Sequence, residues 1–142
     1  MAHLKTLIGH EVIALRRVHY VHEGTATTEH GPIELTFDNN QSVWLDAGAD
    51  GELLELHPGH WVDPFVGRLD QENLDFIARS GRWIAFDADR QHELAPALGE
   101  TLGGVEAVFL PGGEIVGIVL TVGERTLRIE TESADEVFVS LA

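Results

Sequence analysis

The chain has no cysteine. That excludes disulfides, thiol nucleophiles and thiolate metal sites together, and it fits a reducing compartment. Lysine is nearly absent as well. Lys5 is the only one, so Schiff-base chemistry has almost no candidate nucleophile. Basic residues of any kind are scarce: nine Lys and Arg face 24 Asp and Glu, a formal charge of −15. Such a field repels nucleic acid and anionic membranes, and it draws in basic proteins. No apolar run approaches the roughly 18 residues of a membrane span. The opening "MAHLKTLIGHEVIAL" lacks the apolar core of about 7–15 residues that marks a secretory signal. A cytoplasmic protein without membrane or nucleic-acid partners is therefore expected. Phosphate-loop and dinucleotide fingerprints are missing, and none of Ser42, Ser80, Ser133 or Ser140 lies in a G-x-S-x-G setting.

What is present is a sentence written twice. "LTFDNNQSVWLDAGADGELLEL" (Leu35–Leu56) aligns without gaps to "LTVGERTLRIETESADEVFVSL" (Leu120–Leu141). Identities fall at Leu35/Leu120, Thr36/Thr121, Ala49/Ala134, Asp50/Asp135 and Leu56/Leu141. Ile33, Leu35 and Phe37 alternate with polar residues, as do Ile118, Leu120 and Val122. Period 2 is the mark of a strand with one buried face. Turn residues follow in each copy, "DNNQ" and "GERT", and then a second alternating pair, Val43/Leu45 and Leu127/Ile129. Each copy closes on a third apolar run, "ELLEL" and "VFVSL". The likeness extends backwards, from "IGHEVIAL" (Ile8–Leu15) to "LGGVEAV" (Leu102–Val108). The following link is a tight Pro-Gly-Gly turn in the second copy. In the first it is the long "RRVHYVHEGTATTEHGP".

Between the copies Asp70 fits an N-cap, Leu74, Ile77 and Ala78 repeat at helical spacing, and Gly81 fits a C-terminal stop. These predict one helix at about 70–80, covering a face of the sheet, with "RWIAF" (Arg82–Phe86) as a strand after it. "HELAPALGE" stays open, because Pro96 breaks any helix begun before it. The expected fold is α+β and mainly β: two similar antiparallel meanders packed as a sheet or half-barrel, with one helix between them. A single domain over residues 1–142 is expected. It comprises a first meander over 7–56, a loop and helix over 57–100, and a second meander over 101–141.

"HPGHWVD" sets His57, His60 and Asp63 at three-residue steps. Two imidazoles and a carboxylate can hold zinc or iron, yet a Pro-Gly turn separates the pair where a zinc protease has a helix. Carboxylates gather at Asp46, Asp50 and Glu52 and again at Glu130, Glu132, Asp135 and Glu136. Alternation turns Glu130 and Glu132 away from the core, and it turns Trp44 outward between Val43 and Leu45. An outward Trp beside acidic residues suits an interface anchor. A Trp lying under the helix or a loop suits the pattern equally.

"LGGVEAVFLPGGEIVGIVLTVGERTLRIETESADEVFV" (Leu102–Val139) resembles small acidic uncharacterised bacterial domains of immunity-protein type. The first copy, "IGHEVIAL" with "IELTFDNNQSVWLDAGADGELLEL", shows the same layout more loosely, so the resemblance covers about two thirds of the chain, and it implies an inhibitor that covers the active site of a basic toxin. It carries no catalytic residue. The expectation is thus a non-enzymatic acidic binding protein without cofactor. Its partner surface would comprise Trp44, Asp46, Asp50, Glu52, Glu130, Glu132, Asp135 and Glu136. The alternative is a small-molecule- or metal-binding protein or enzyme with its site in the 57–63 loop. Exposed strand edges also allow a homodimer.

Overall fold

The computed structural model describes residues 2–48, 53–65, 67–88, 92–131 and 136–142, the side chains of residues 26–30 excepted. Both meanders are there. β1 (Val12–His22), β2 (Thr25–Phe37), β3 (Ser42–Ala47) and β4 (Leu54–Pro58) run antiparallel in sequence order. β5 (Arg82–Asp87) joins β1 from the far side, which gives a five-stranded sheet in the order β4-β3-β2-β1-β5. β6 (Leu102–Phe109), β7 (Ile115–Val122), β8 (Arg125–Thr131) and β9 (Val137–Leu141) form a second, four-stranded sheet. The two sheets are not closed into a barrel.

The registers of the two meanders correspond. Leu15, Leu35 and Val43 lie side by side across the first sheet, as Val105, Leu120 and Leu127 do across the second. The next inward row is Arg17, Ile33, Leu45 and Leu56, matched by Ala107, Ile118, Ile129 and Val139. Buried side chains of both sheets form one core, including Leu15, Ile33, Leu35, Phe37, Leu45, Leu120, Leu127 and Ile129. Each sheet has one apolar face, and the two faces cover each other.

The long link of the first copy is not a loop. It is the extension of β1 and β2 into a long hairpin, closed by Glu23 and Gly24 with φ of 54° and 76°. Positive φ at both central residues is what a tight hairpin turn demands. β1 also begins later than the repeat suggests. A short helix, α1 (Ala2–Lys5), and a turn precede it, and Leu4 and Leu7 are buried in the core.

α2 (Gln71–Ser80) lies where the capping residues place it. The Asp70 carboxylate accepts from the Asn73 N–H at 2.8 Å, and the Gly81 N–H donates to the Ile77 carbonyl at 2.7 Å. It does not cover a sheet face, however. None of its residues is buried, and Leu74 and Phe76 are exposed. The ambiguous "HELAPALGE" contains a 3₁₀ turn, Ala95–Ala97, which delivers Leu94 and Ala97 to the core.

Candidate functional site

Outward alternation in the first sheet builds a row of Arg16, Glu34, Trp44 and His57 on adjacent strands β1 to β4. Glu34 is only 2% exposed, although no apolar sheet covers this face. The cover is the loop after β4, which crosses the row. The Glu34 carboxylate accepts from Arg16 Nε at 2.8 Å, from Arg16 Nη2 at 2.5 Å and from the Trp61 N–H at 2.7 Å. Arg16 Nη2 also donates to the Trp61 carbonyl at 2.9 Å. His60 Nδ1 stands 3.4 Å from the same carboxylate. Burial disfavours the Glu34 charge, but the Arg16 hydrogen bonds, the Trp61 N–H, the Arg16 charge and His60 outweigh it. Its pKa is held below the ordinary carboxylate value. Glu34 in turn raises the Arg16 pKa, against the desolvation that lowers it.

The far end of the loop is tied as well. Asp63 accepts from the Phe65 N–H at 2.8 Å and stands 3.5 Å from Arg82 of β5. Between these ties the loop roofs a cavity of about 390 Å³. Trp61 and Pro64 come from the loop, Trp83 from β5, Asp46 from β3 and Gly31 and Pro32 from β2. Gly31 has a steric reason. A Cβ there would stand 2.7 Å from Trp83 Cζ3 and 2.7 Å from the Val18 carbonyl oxygen, so only glycine lets the indole lie on β2. The Tyr20 and Trp83 rings pack in a T-shaped arrangement with centroids 5.3 Å apart.

Asp46 is the charged member of this pocket. It sits directly across from Glu55, a like-charge pair that destabilises a sheet. Burial pushes its pKa up and Glu55 adds to this, against the Ala47 N–H and His57, which pull it down. Among the described residues no cation forms an ion pair with Asp46. Asp46 is thus a half-buried carboxylate in a pocket that Trp61 and Trp83 also line, without an ion-paired cation among the described residues.

Trp44 faces outward as expected, half-buried, and stacks on His57 with centroids 4.0 Å apart and planes at 19°. Trp44 and Asp46 therefore share one face of β3. Glu130 belongs to the second sheet and pairs with Arg128 at 2.8 Å. Glu136 precedes β9 in the same sheet and is half-buried. Asp50, Glu52, Glu132 and Asp135 lie outside the described residues. The structure does not gather His57, His60 and Asp63 into a donor set. His57 lies against Trp44 and Glu55, His60 turns to Glu34, and Asp63 turns to Arg82. Among the described residues there is no group of three potential metal ligands. No helix among them is long and apolar enough to cross a membrane.

The sequence reading passed over Glu34, Arg16, Trp61 and Trp83 as site residues. Alternation marks Glu34 as outward-facing, but only the loop's path buries it. Comparison of the chain with protein-family models, with curated proteins and with solved structures finds no match in any of the three.

Proposed function

We propose that the chain is a non-enzymatic binding protein that captures a basic protein, as an inhibitor or immunity protein captures its toxin. An Arg or Lys side chain of the partner enters the Trp61–Trp83–Asp46 pocket. The observation that carries this reading is Asp46 itself, a half-buried carboxylate that lines one pocket with two indoles and is opposed by Glu55. A guanidinium there gains cation–π contact and relieves like-charge repulsion in one step. The charge of −15 would steer the encounter. Trp44 is the neighbouring anchor on the same face. Apolar side chains along the loop and α2, notably Val62 at 66% exposure with Leu69, Leu74 and Phe76, offer the desolvated contact that holds a protein partner. A cytoplasmic setting, where cysteine-free chains are at home, goes with this reading. The alternative of a small-molecule site in the 57–63 loop converges on the same pocket, since Trp61 forms its wall.

The test is a fluorescence and NMR titration with an arginine-containing peptide and its citrulline counterpart. Saturable perturbation of the Trp61 and Trp83 indole N–H signals by the arginine peptide alone, lost in Asp46→Asn, supports the reading. Equal responses to both peptides, or an undiminished response in Asp46→Asn, would contradict it.

A further inference from the structure

Arg17 is a charged residue in the inward row of the first sheet. In the second sheet the matching place in the inward row is Ala107. Arg17 is 6% exposed. Its Nη2 donates to the Val137 carbonyl of β9 at 3.0 Å, while Nη1 is buried with no hydrogen-bond partner among the described residues. Burial pushes the guanidinium down to about 10, with Glu93 acting in the opposite direction. The guanidinium remains charged at neutral pH, and a buried Nη1 with no hydrogen bond among the described residues is costly. The side chain opens on a cavity of about 500 Å³ between β1 and the β8–β9 hairpin, a size suited to a small molecule. His19, His92, Glu93, Arg128, Glu130 and Phe138 complete most of the wall.

The charges of that wall narrow the ligand class. Arg128 is already engaged by Glu130 at 2.8 Å. Glu93, Glu130 and a chain of −15 would repel a dianion about twice as strongly as a monoanion, which favours the smaller charge. The uncommitted donor among the described residues is therefore the Nη1 amino group, two N–H on a desolvated cation, in a cavity that Phe138 and Val139 also line. We propose that this cavity binds a small organic monocarboxylate, its carboxylate on Arg17 Nη1 and its apolar body against Phe138 and Val139. A charge-assisted hydrogen bond is the strong kind. The site is independent of the outer-face pocket, because Arg17 belongs to the inward row and Arg16 to the outward one.

The experiment is a titration of the full chain, followed by calorimetry and by the amide signals of Val137, Val139 and Ser140. Benzoate is the probe, with benzamide and inorganic phosphate as comparators. Benzoate is expected to saturate, to raise the melting temperature and to bind at least about tenfold more tightly than either comparator, a difference of about 1.4 kcal/mol. Arg17→Met should abolish the response. Ser140→Trp, on an exposed strand position at the cavity wall, should abolish it too while leaving the folded spectrum intact, and it serves if Arg17→Met does not fold. Benzamide binding as well as benzoate, phosphate binding better, or undiminished benzoate binding by Ser140→Trp would each overturn the proposal. So would the absence of benzoate saturation up to about 10 mM.

Discussion

Replacing Glu34 by alanine removes one carboxylate and undoes three hydrogen bonds, two from Arg16 and one from the Trp61 N–H. The partner groups stay behind. Arg16 keeps the Trp61 carbonyl and some access to water, since its side chain is 30% exposed. The Trp61 N–H loses its acceptor. Breaking a buried ion pair from one side costs about 3–5 kcal/mol, and the partial exposure of Arg16 places Glu34→Ala near the lower end, about 3 kcal/mol. For a chain of this size that is a fall of roughly 10 °C in melting temperature. The exposed Arg128–Glu130 pair is the internal control, and Arg128→Ala should cost under about 1 kcal/mol. The pH dependence has a definite sign. Because the folded state holds the Glu34 pKa below its ordinary value, the stabilisation is complete above the ordinary carboxylate range and is lost as pH falls through the depressed value. Urea unfolding of wild type and Glu34→Gln should therefore differ most at neutral pH and converge in acid. Hydrogen exchange at the Trp61 amide should accelerate in both variants, because the loop loses its tie. A cost below about 1 kcal/mol for Glu34→Ala, with Trp61 exchange unchanged, would refute the claim that this carboxylate fastens the loop.

Asp46→Asn should behave in the opposite way and raise the melting temperature at neutral pH. Its folded-state pKa is raised, so ionised Asp46 opposes folding until the pH falls through that value, and thermal scans across pH would read the difference. Gly31→Ala should destabilise by about 1–3 kcal/mol and disturb the Trp83 ring, because the new methyl collides with both Trp83 and the Val18 carbonyl; near-ultraviolet circular dichroism would follow the ring. Asp70→Ala should remove a helix cap worth about 1 kcal/mol. Since α2 buries none of its residues, the loss should appear as faster amide exchange confined to residues 71–80, with global unfolding little changed.

The meanders were legible because strand alternation and turn chemistry are local. Ile33, Leu35 and Phe37 announce their buried face without help from distant residues, and Asp70 and Gly81 bracket α2 for the same reason. The ungapped repeat drifts after the first turn because the spacing differs by one residue. Leu35 pairs with Val43, while Leu120 pairs with Leu127. What was not legible depends on long-range placement. β5 returns to β1 from far along the chain, and the 59–65 loop crosses the outer face instead of leaving it. That crossing buries Glu34, which alternation alone assigns to solvent, and it brings Trp61 into the pocket that Trp83 also lines. The helix was read correctly in extent and wrongly in burial, because Leu74 and Ile77 share a face without stating what that face meets. Arg17 carried a readable signal: it has the same strand phase as Leu15, and a charge in core phase marks a position to question.

Capture of the partner tests the central claim most directly. Tagged wild type and Asp46→Asn would be exposed to the same lysate from the source organism and washed at low and at high salt. Mass spectrometry would then compare what each retains. The account predicts a basic protein held by wild type at low salt, weakened at high salt and strongly depleted on Asp46→Asn. A basic partner retained equally by both forms, or retention of none by wild type, would contradict it.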